Sequence, residues 1–75
     1  MSELLFLVEA ASEGGYTAHA FGVDIFTEGD NLTSLHANVR EAVMCHFEDG
    51  QAPKMIRLHE VGKSVDTTVT LTRSI

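Results

Sequence analysis

Glu28-Gly29-Asp30-Asn31-Leu32-Thr33-Ser34-Leu35-His36-Ala37-Asn38-Val39-Arg40-Glu41-Ala42-Val43-Met44-Cys45-His46-Phe47-Glu48-Asp49-Gly50 carries a helical apolar period, and its reading decides the fold. Leu32, Leu35, Val39, Val43 and Phe47, with Ala42 and His46 beside them, recur at spacings of three and four residues, which gathers them into one stripe along an α-helix. Asn38, Arg40, Glu41 and Glu48 take the more solvated directions. Asn31 suits an N-cap, because its side-chain oxygen can accept from a first-turn backbone N–H, so the helix is expected to begin at Leu32. Asp49-Gly50 is the expected end, with Gly50 left-handed and Pro53 preventing continuation. One helix with one apolar stripe needs a sheet to pack on, and the flanking sequence supplies it.

Upstream, Leu4 to Val8 is an unbroken apolar run between Glu3 and Glu9, the pattern of a strand central in a sheet or covered on both faces. The first strand is therefore placed at Glu3 to Ala10. Ala11-Ser12-Glu13-Gly14-Gly15 forms a turn whose Gly-Gly pair can supply positive φ angles. Tyr16 to Phe21 reads as the second strand, with Tyr16, Ala18 and Ala20 on one face and Thr17, His19 and Phe21 on the other. The small alanines leave room for a helix to approach. Gly22 marks a bend, Val23 to Thr27 a third strand with Val23 and Ile25 opposite Asp24 and Phe26, and Glu28 to Asn31 a turn.

Downstream, Lys54 to Val61 alternates as a fourth strand, with Met55, Arg57, His59 and Val61 against Ile56, Leu58 and Glu60. Gly62-Lys63-Ser64 breaks the pattern, and Val65 to Thr72 is rich in β-branched residues. That last segment can close the same sheet, exchange with a second subunit or stay mobile. The expected architecture is α+β, in the order β-β-β-α-β with a possible extra C-terminal strand. It forms one domain over residues 1–75, with its core in 3–61 and an extended segment at 62–75.

Composition narrows the function. The chain has 75 residues, 44% hydrophobic and 21% charged, which suits one packed domain and makes association the expected way to gain core, as a homodimer or higher homo-oligomer or with a bound partner. Eleven acidic against five basic residues give a net charge of −6, which opposes phosphate backbones and favours encounter with a basic protein. Cys45 is the single cysteine, so no intrachain disulfide can form, and a reducing cytoplasm is the expected compartment. The N-terminal apolar run is too short for a signal peptide or a membrane span.

Glu13-Gly14-Gly15-Tyr16-Thr17-Ala18 and Thr27-Glu28-Gly29-Asp30-Asn31-Leu32, taken with the order of elements, resemble the HicB antitoxin family over roughly Leu4 to Val61. In that family a Gly-Gly-Tyr hairpin opens the second strand and a Thr-x-Gly-Asp-Thr-Leu turn leads into the helix. Asn31 stands where the family often has Thr, and both residues can cap. Ala20-Phe21-Gly22-Val23-Asp24 departs from the family's Pro-Asp-Leu-Pro-Gly type bend, and the residues after Val61 are too few for the family's C-terminal DNA-binding module. The resemblance implies a reduced ribonuclease-H-like sheet and a non-enzymatic domain that neutralises a small basic HicA-type toxin, an RNase, by protein contact. The alternative is a stand-alone homo-oligomeric structural or regulatory domain with no toxin partner.

Residues that carry chemistry elsewhere take structural roles in this reading. Asp24, Glu28 and Asp30 lie at a strand end and in a turn, where a solvated role is simpler than holding metal for a nuclease. His36 and His46 are nearly three helical turns apart, too far for one ion, and His46 points about 100° from Cys45. His19 and His59 fall on strands and are expected in cross-strand packing or polar contacts, Cys45 as an inert, partly buried thiol, and Met44 and Met55 as gap fillers in a core or an interface. No catalytic residue, metal or cofactor is assigned, and neither nucleic acid nor membrane is an expected partner. The partner-binding or edge-pairing candidates are Val65, Thr67, Val69 and Leu71 of the last segment, with Asp24 and Glu28.

Overall fold

The computed structural model describes residues 3–48, 51–64 and 66–71. Its elements run β1 (Glu3–Ala10), β2 (Tyr16–Ala20), β3 (Phe26–Gly29), α1 (Leu32–His46), β4 (Met55–Glu60) and β5 (Asp66–Thr70). The strands form one five-stranded sheet in the order β3-β2-β1-β4-β5. β1 and β4 pair in parallel at its centre, and every other pair is antiparallel. The helix is part of the crossover that a parallel β1–β4 pair requires.

Alternation along the strands sorts side chains onto two faces. Leu4, Phe6 and Val8 of β1, Ala18 and Ala20 of β2, and Ile56 and Leu58 of β4 are buried beneath Leu35, Val39 and Val43 of the helix, with Ile25 completing the core. Each large side chain buried in this way contributes roughly 1.5–3 kcal/mol. The alanines of β2 do admit the helix: Ala18 is 0% and Ala20 6% exposed. Phe47, Ala52, Val69 and Leu71 pack on the core, and Pro53 is fully buried.

The hairpin forms as the Gly-Gly pair requires. Gly14 and Gly15 have φ of 102° and 80°, and Ala11 N–H donates to Gly15 O at 2.9 Å. Asn31 caps α1, its Oδ1 accepting from Ser34 N at 2.8 Å. Gly29 permits the next step, the close passage of the helix over β3, because a Cβ there would lie 2.5 Å from Leu35 N.

Several expectations are corrected. The third strand is Phe26–Gly29 instead of Val23 to Thr27, so Glu28 and Gly29 belong to a strand and not to a turn. Gly22, at φ 86°, opens a bend in which Ile25 N–H donates to Val23 O at 2.9 Å while Ile25 O accepts from Ala20 N–H at 2.9 Å. Local bonding thus displaces Val23 and Asp24 from the ladder, although Ile25 still faces the core and Asp24 and Phe26 still face solvent. The second strand stops at Ala20, one residue short. The fourth strand is Met55–Glu60, one residue shorter at each end than Lys54 to Val61.

The helix stops at His46. Phe47 is extended, at φ −100° and ψ 145°, and its ring sets edge-on to His46 with centroids 5.0 Å apart. The expected cap at Gly50 lies outside the described residues. Leu32, expected in the buried stripe, is 39% exposed, at the helix start.

Candidate functional site

Once α1 covers one face, the sheet offers a second face and two edges. Register fixes what occupies the helix-free face. Phe26 of β3, His19 of β2, Leu7 of β1, His59 of β4 and Asp66 of β5 form one continuous row across all five strands. Leu5 lies beside Arg57 and, through the bond from Phe21 N–H to its carbonyl, beside Phe21. Glu3 pairs with Met55, and Glu9 with Thr17. Alternation places Val61 on this face too. Phe21, Phe26, Met55 and Val61 are 69%, 64%, 37% and 55% exposed, so much of the chain's exposed apolar surface is collected here.

Polar contacts on this face concentrate on the β5 side. Arg57 Nη2 is 3.0 Å from Glu3 Oε2, and its Nε lies 4.0 Å from Asp66 Oδ2. His59 Nδ1 and Asp66 Oδ1 are 2.7 Å apart. Glu3 and Asp66 are therefore engaged. Toward β3, Glu9, Glu13, Asp24, Glu28 and Asp30 are exposed and take part in no ion pair among the described residues. The Glu28 carbonyl accepts from Asn38 Nδ2 at 2.7 Å, so the helix shields part of the β3 edge.

The expected contact residues fall into two separate groups. Thr67 and Val69 belong to β5 and pair with Leu58 and Ile56, while Leu71 follows the strand, its N–H donating to Lys54 O at 2.8 Å. The last segment thus closes the chain's own sheet, with Val69 and Leu71 partly buried on the core. Val65 lies outside the described residues. Asp24 and Glu28 sit at the opposite margin, four strand spacings or ~19 Å away, so the two groups share no site. Thr67 and Val69 also point to the helix side, away from the open face.

Other expectations resolve one by one. His59 makes its polar contact with Asp66, whereas His19 stands next to Leu7 and Phe26, so β1 separates the two histidines. Cys45 is exposed, not partly buried, because its helical direction points away from the sheet. Met44 and Met55, 42% and 37% exposed, are not core fillers. No group of three or more His, Cys, Asp or Glu among the described residues is placed to hold a metal ion, and no described helix is long and apolar enough to cross a membrane. Sequence reasoning missed the open apolar face itself. Its signal was the unbroken run Leu4 to Val8, which places Leu5 and Leu7 on the side the helix does not reach.

A five-stranded mixed sheet covered by one helix, with an apolar open face and acid at one margin, defines a small α+β domain. The chain belongs to the UPF0150 family. It is 48% identical over 52 residues to a UPF0150 protein of Archaeoglobus fulgidus, a match spanning 69% of this chain and 77% of the relative. A UPF0150 protein of Thermotoga maritima is 37% identical over 54 residues, 72% of this chain and 76% of the relative. No family model matches the chain. No solved structure matches it either.

Proposed function

We propose that this domain is a non-enzymatic binding module of the HicB antitoxin type, which neutralises a small basic RNase toxin of the HicA type by covering it. The observation that supports this reading is the unpaired acid at the β3 margin. Asp24, Glu28 and Asp30, with Glu9 and Glu13 nearby, are exposed and free of ion pairs among the described residues, while Glu3 and Asp66 at the other side are engaged by Arg57 and His59. A basic partner would be drawn to the uncompensated side, and acid facing a cation-lined RNA site would compete with the anionic substrate.

The resemblance in Glu13 to Ala18 and Thr27 to Leu32 supplies the identity of the partner class. The test is binding to a purified small basic RNase toxin of the HicA type, measured by calorimetry over a salt series. Affinity should fall as salt rises, and Asp24→Lys with Glu28→Lys should weaken binding by about tenfold or more without changing the circular dichroism spectrum. Absence of binding at low salt, or indifference to the double charge reversal, would overturn the reading.

A further inference from the structure

We infer that the helix-free face of the sheet is the interface of a symmetric dimer, and that the layer covering it is a second copy of this chain. β1 and β4 pair in parallel, and parallel strands are characteristically buried on both faces. The sequence of β1 agrees, since Leu4, Phe6 and Val8 are covered by the helix while Leu5 and Leu7, equally apolar, face the other way. Half of a doubly apolar strand therefore has no covering layer among the described residues.

Five strands spaced about 4.8 Å apart and about 13–26 Å long give a face of roughly 450 Å² in projection, and side-chain relief makes the accessible area larger. The flat projection alone is a little over half of the ~800 Å² per partner of a standard interface, and the side-chain relief of the exposed Phe and Met residues narrows the difference. Phe21, Phe26, Met55 and Val61 are on this face, and aromatic residues and Met are the types enriched in interfaces.

The open face is also self-complementary. A two-fold axis in the plane of the interface, parallel to β1, sets β1 against its own copy and β4 against β2 of the other copy. Residues of one row then meet: Leu5 and Leu7 face themselves, Arg57 faces the exposed ring of Phe21, and Glu9 at the end of β1 faces its own copy, which adds to the like-charge repulsion that salt screens. A guanidinium over an aromatic face is favourable, and Arg57 already has its charge balanced by Glu3 and Asp66 within its own chain. This inference does not rest on the toxin reading. Of the free acids invoked there, Asp24 and Asp30 flank the β3 margin, while Glu9 and Glu28 lie with Thr17 at one end of the open face, one row beyond Leu7 and Phe26.

Two copies each of charge −6 repel, and salt screens that repulsion, so dimerisation should tighten as salt rises, the opposite of binding to a basic protein. Analytical ultracentrifugation of the full chain at about 1–200 µM and several salt concentrations tests both the mass action and the screening. The expected result is a species of twice 8.2 kDa that strengthens with salt, and a loss of about 100-fold or more in association for Phe21→Glu with Phe26→Glu. Both phenylalanines are largely exposed, so the fold should persist, and circular dichroism checks it. Methyl NMR of the unaltered protein gives an independent reading: Leu5 and Leu7 should shift with concentration, and Met44 on the helix should not. A monomer at all concentrations, a dimer indifferent to the double substitution, or shifts at Met44 instead of Leu5 and Leu7 would each overturn the inference.

Discussion

His59 Nδ1 and Asp66 Oδ1 meet at 2.7 Å, joining the side chains of β4 and β5 on the open face. Asp66 also lies 4.0 Å from Arg57, which bonds Glu3 of β1, so three strands are connected through four side chains. These groups are more than one-third exposed, and exposed pairs of this kind contribute at most about 1 kcal/mol. Because β5 has one neighbour in the sheet and an otherwise open edge among the described residues, the effect should be local. Asp66→Ala should speed hydrogen exchange of the β5 amides by about fivefold, the equivalent of about 1 kcal/mol, and leave β1 exchange nearly unchanged. Unaltered β5 exchange would mean that Val69 and the backbone ladder hold the strand unaided.

Asn31 and Ser34 provide the second prediction. The 2.8 Å bond from Ser34 N–H to Asn31 Oδ1 satisfies one of the donors that the first turn leaves free. Asn31→Ala should lower stability by roughly 0.5–2 kcal/mol, read as a lower urea midpoint at constant slope, whereas Asn31→Ser should stay within a few tenths. Equal losses for Ala and Ser would show that the cap does not depend on an accepting oxygen.

The cap was legible in the sequence because it depends on one residue type at one position, and β1 because its boundaries are polar residues around an apolar run. The third strand was misplaced because Gly22 and the local bond between Ile25 and Val23 decide where the ladder resumes. Neither is visible as a hydrophobic period. The helix was drawn too long for a related reason: Phe47 continues the stripe by spacing, but its backbone has already turned extended. At the proposed sites, Asp24 and Glu28 were readable as solvated acids, while only the folded arrangement shows that among the described residues they enter no ion pair, whereas Glu3 and Asp66 do. The open face was hidden because Phe21, Phe26, Met55 and Val61 come from different segments, and only sheet order assembles them.

Leu35 gives a test of how much of the core the helix supplies. It is 0% exposed, and its backbone N–H is bonded to Asn31 O at 2.9 Å, so its position is fixed and collapse around a cavity should be limited. Leu35→Ala should cost roughly 2–5 kcal/mol, enough to unfold much of the population of a small domain at ambient temperature. Dimerisation through the open face should partly offset that loss at high protein concentration, by mass action. A concentration-independent urea midpoint for this variant would argue that folding and association are uncoupled.

Gly14, Gly15 and Gly29 should rank in a definite order when each is changed to alanine. Gly14 has φ 102° with nothing within 4 Å of an added Cβ, so Gly14→Ala carries backbone strain alone, about 1–2 kcal/mol. At Gly15, φ is 80° and the new Cβ would also stand 2.7 Å from the Gly29 carbonyl oxygen, so strain and a clash with backbone combine. Gly29 lacks the positive φ, but its Cβ would meet Leu35 N at 2.5 Å and Leu35 Cα at 2.7 Å, and backbone atoms cannot swing aside as a side chain would. Relief requires lifting the first turn of α1 from β3, which loosens Leu35 and stretches the bond from Asn38 to the Glu28 carbonyl. Such overpacking costs about 1–3 kcal/mol, and more where backbone must move. Urea midpoints should therefore fall least for Gly14→Ala and further for both Gly15→Ala and Gly29→Ala, with Gly29→Ala alone also shifting the amide resonances of Ser34 and Leu35. A Gly29→Ala protein as stable as Gly14→Ala would contradict the close seating of the helix on the third strand.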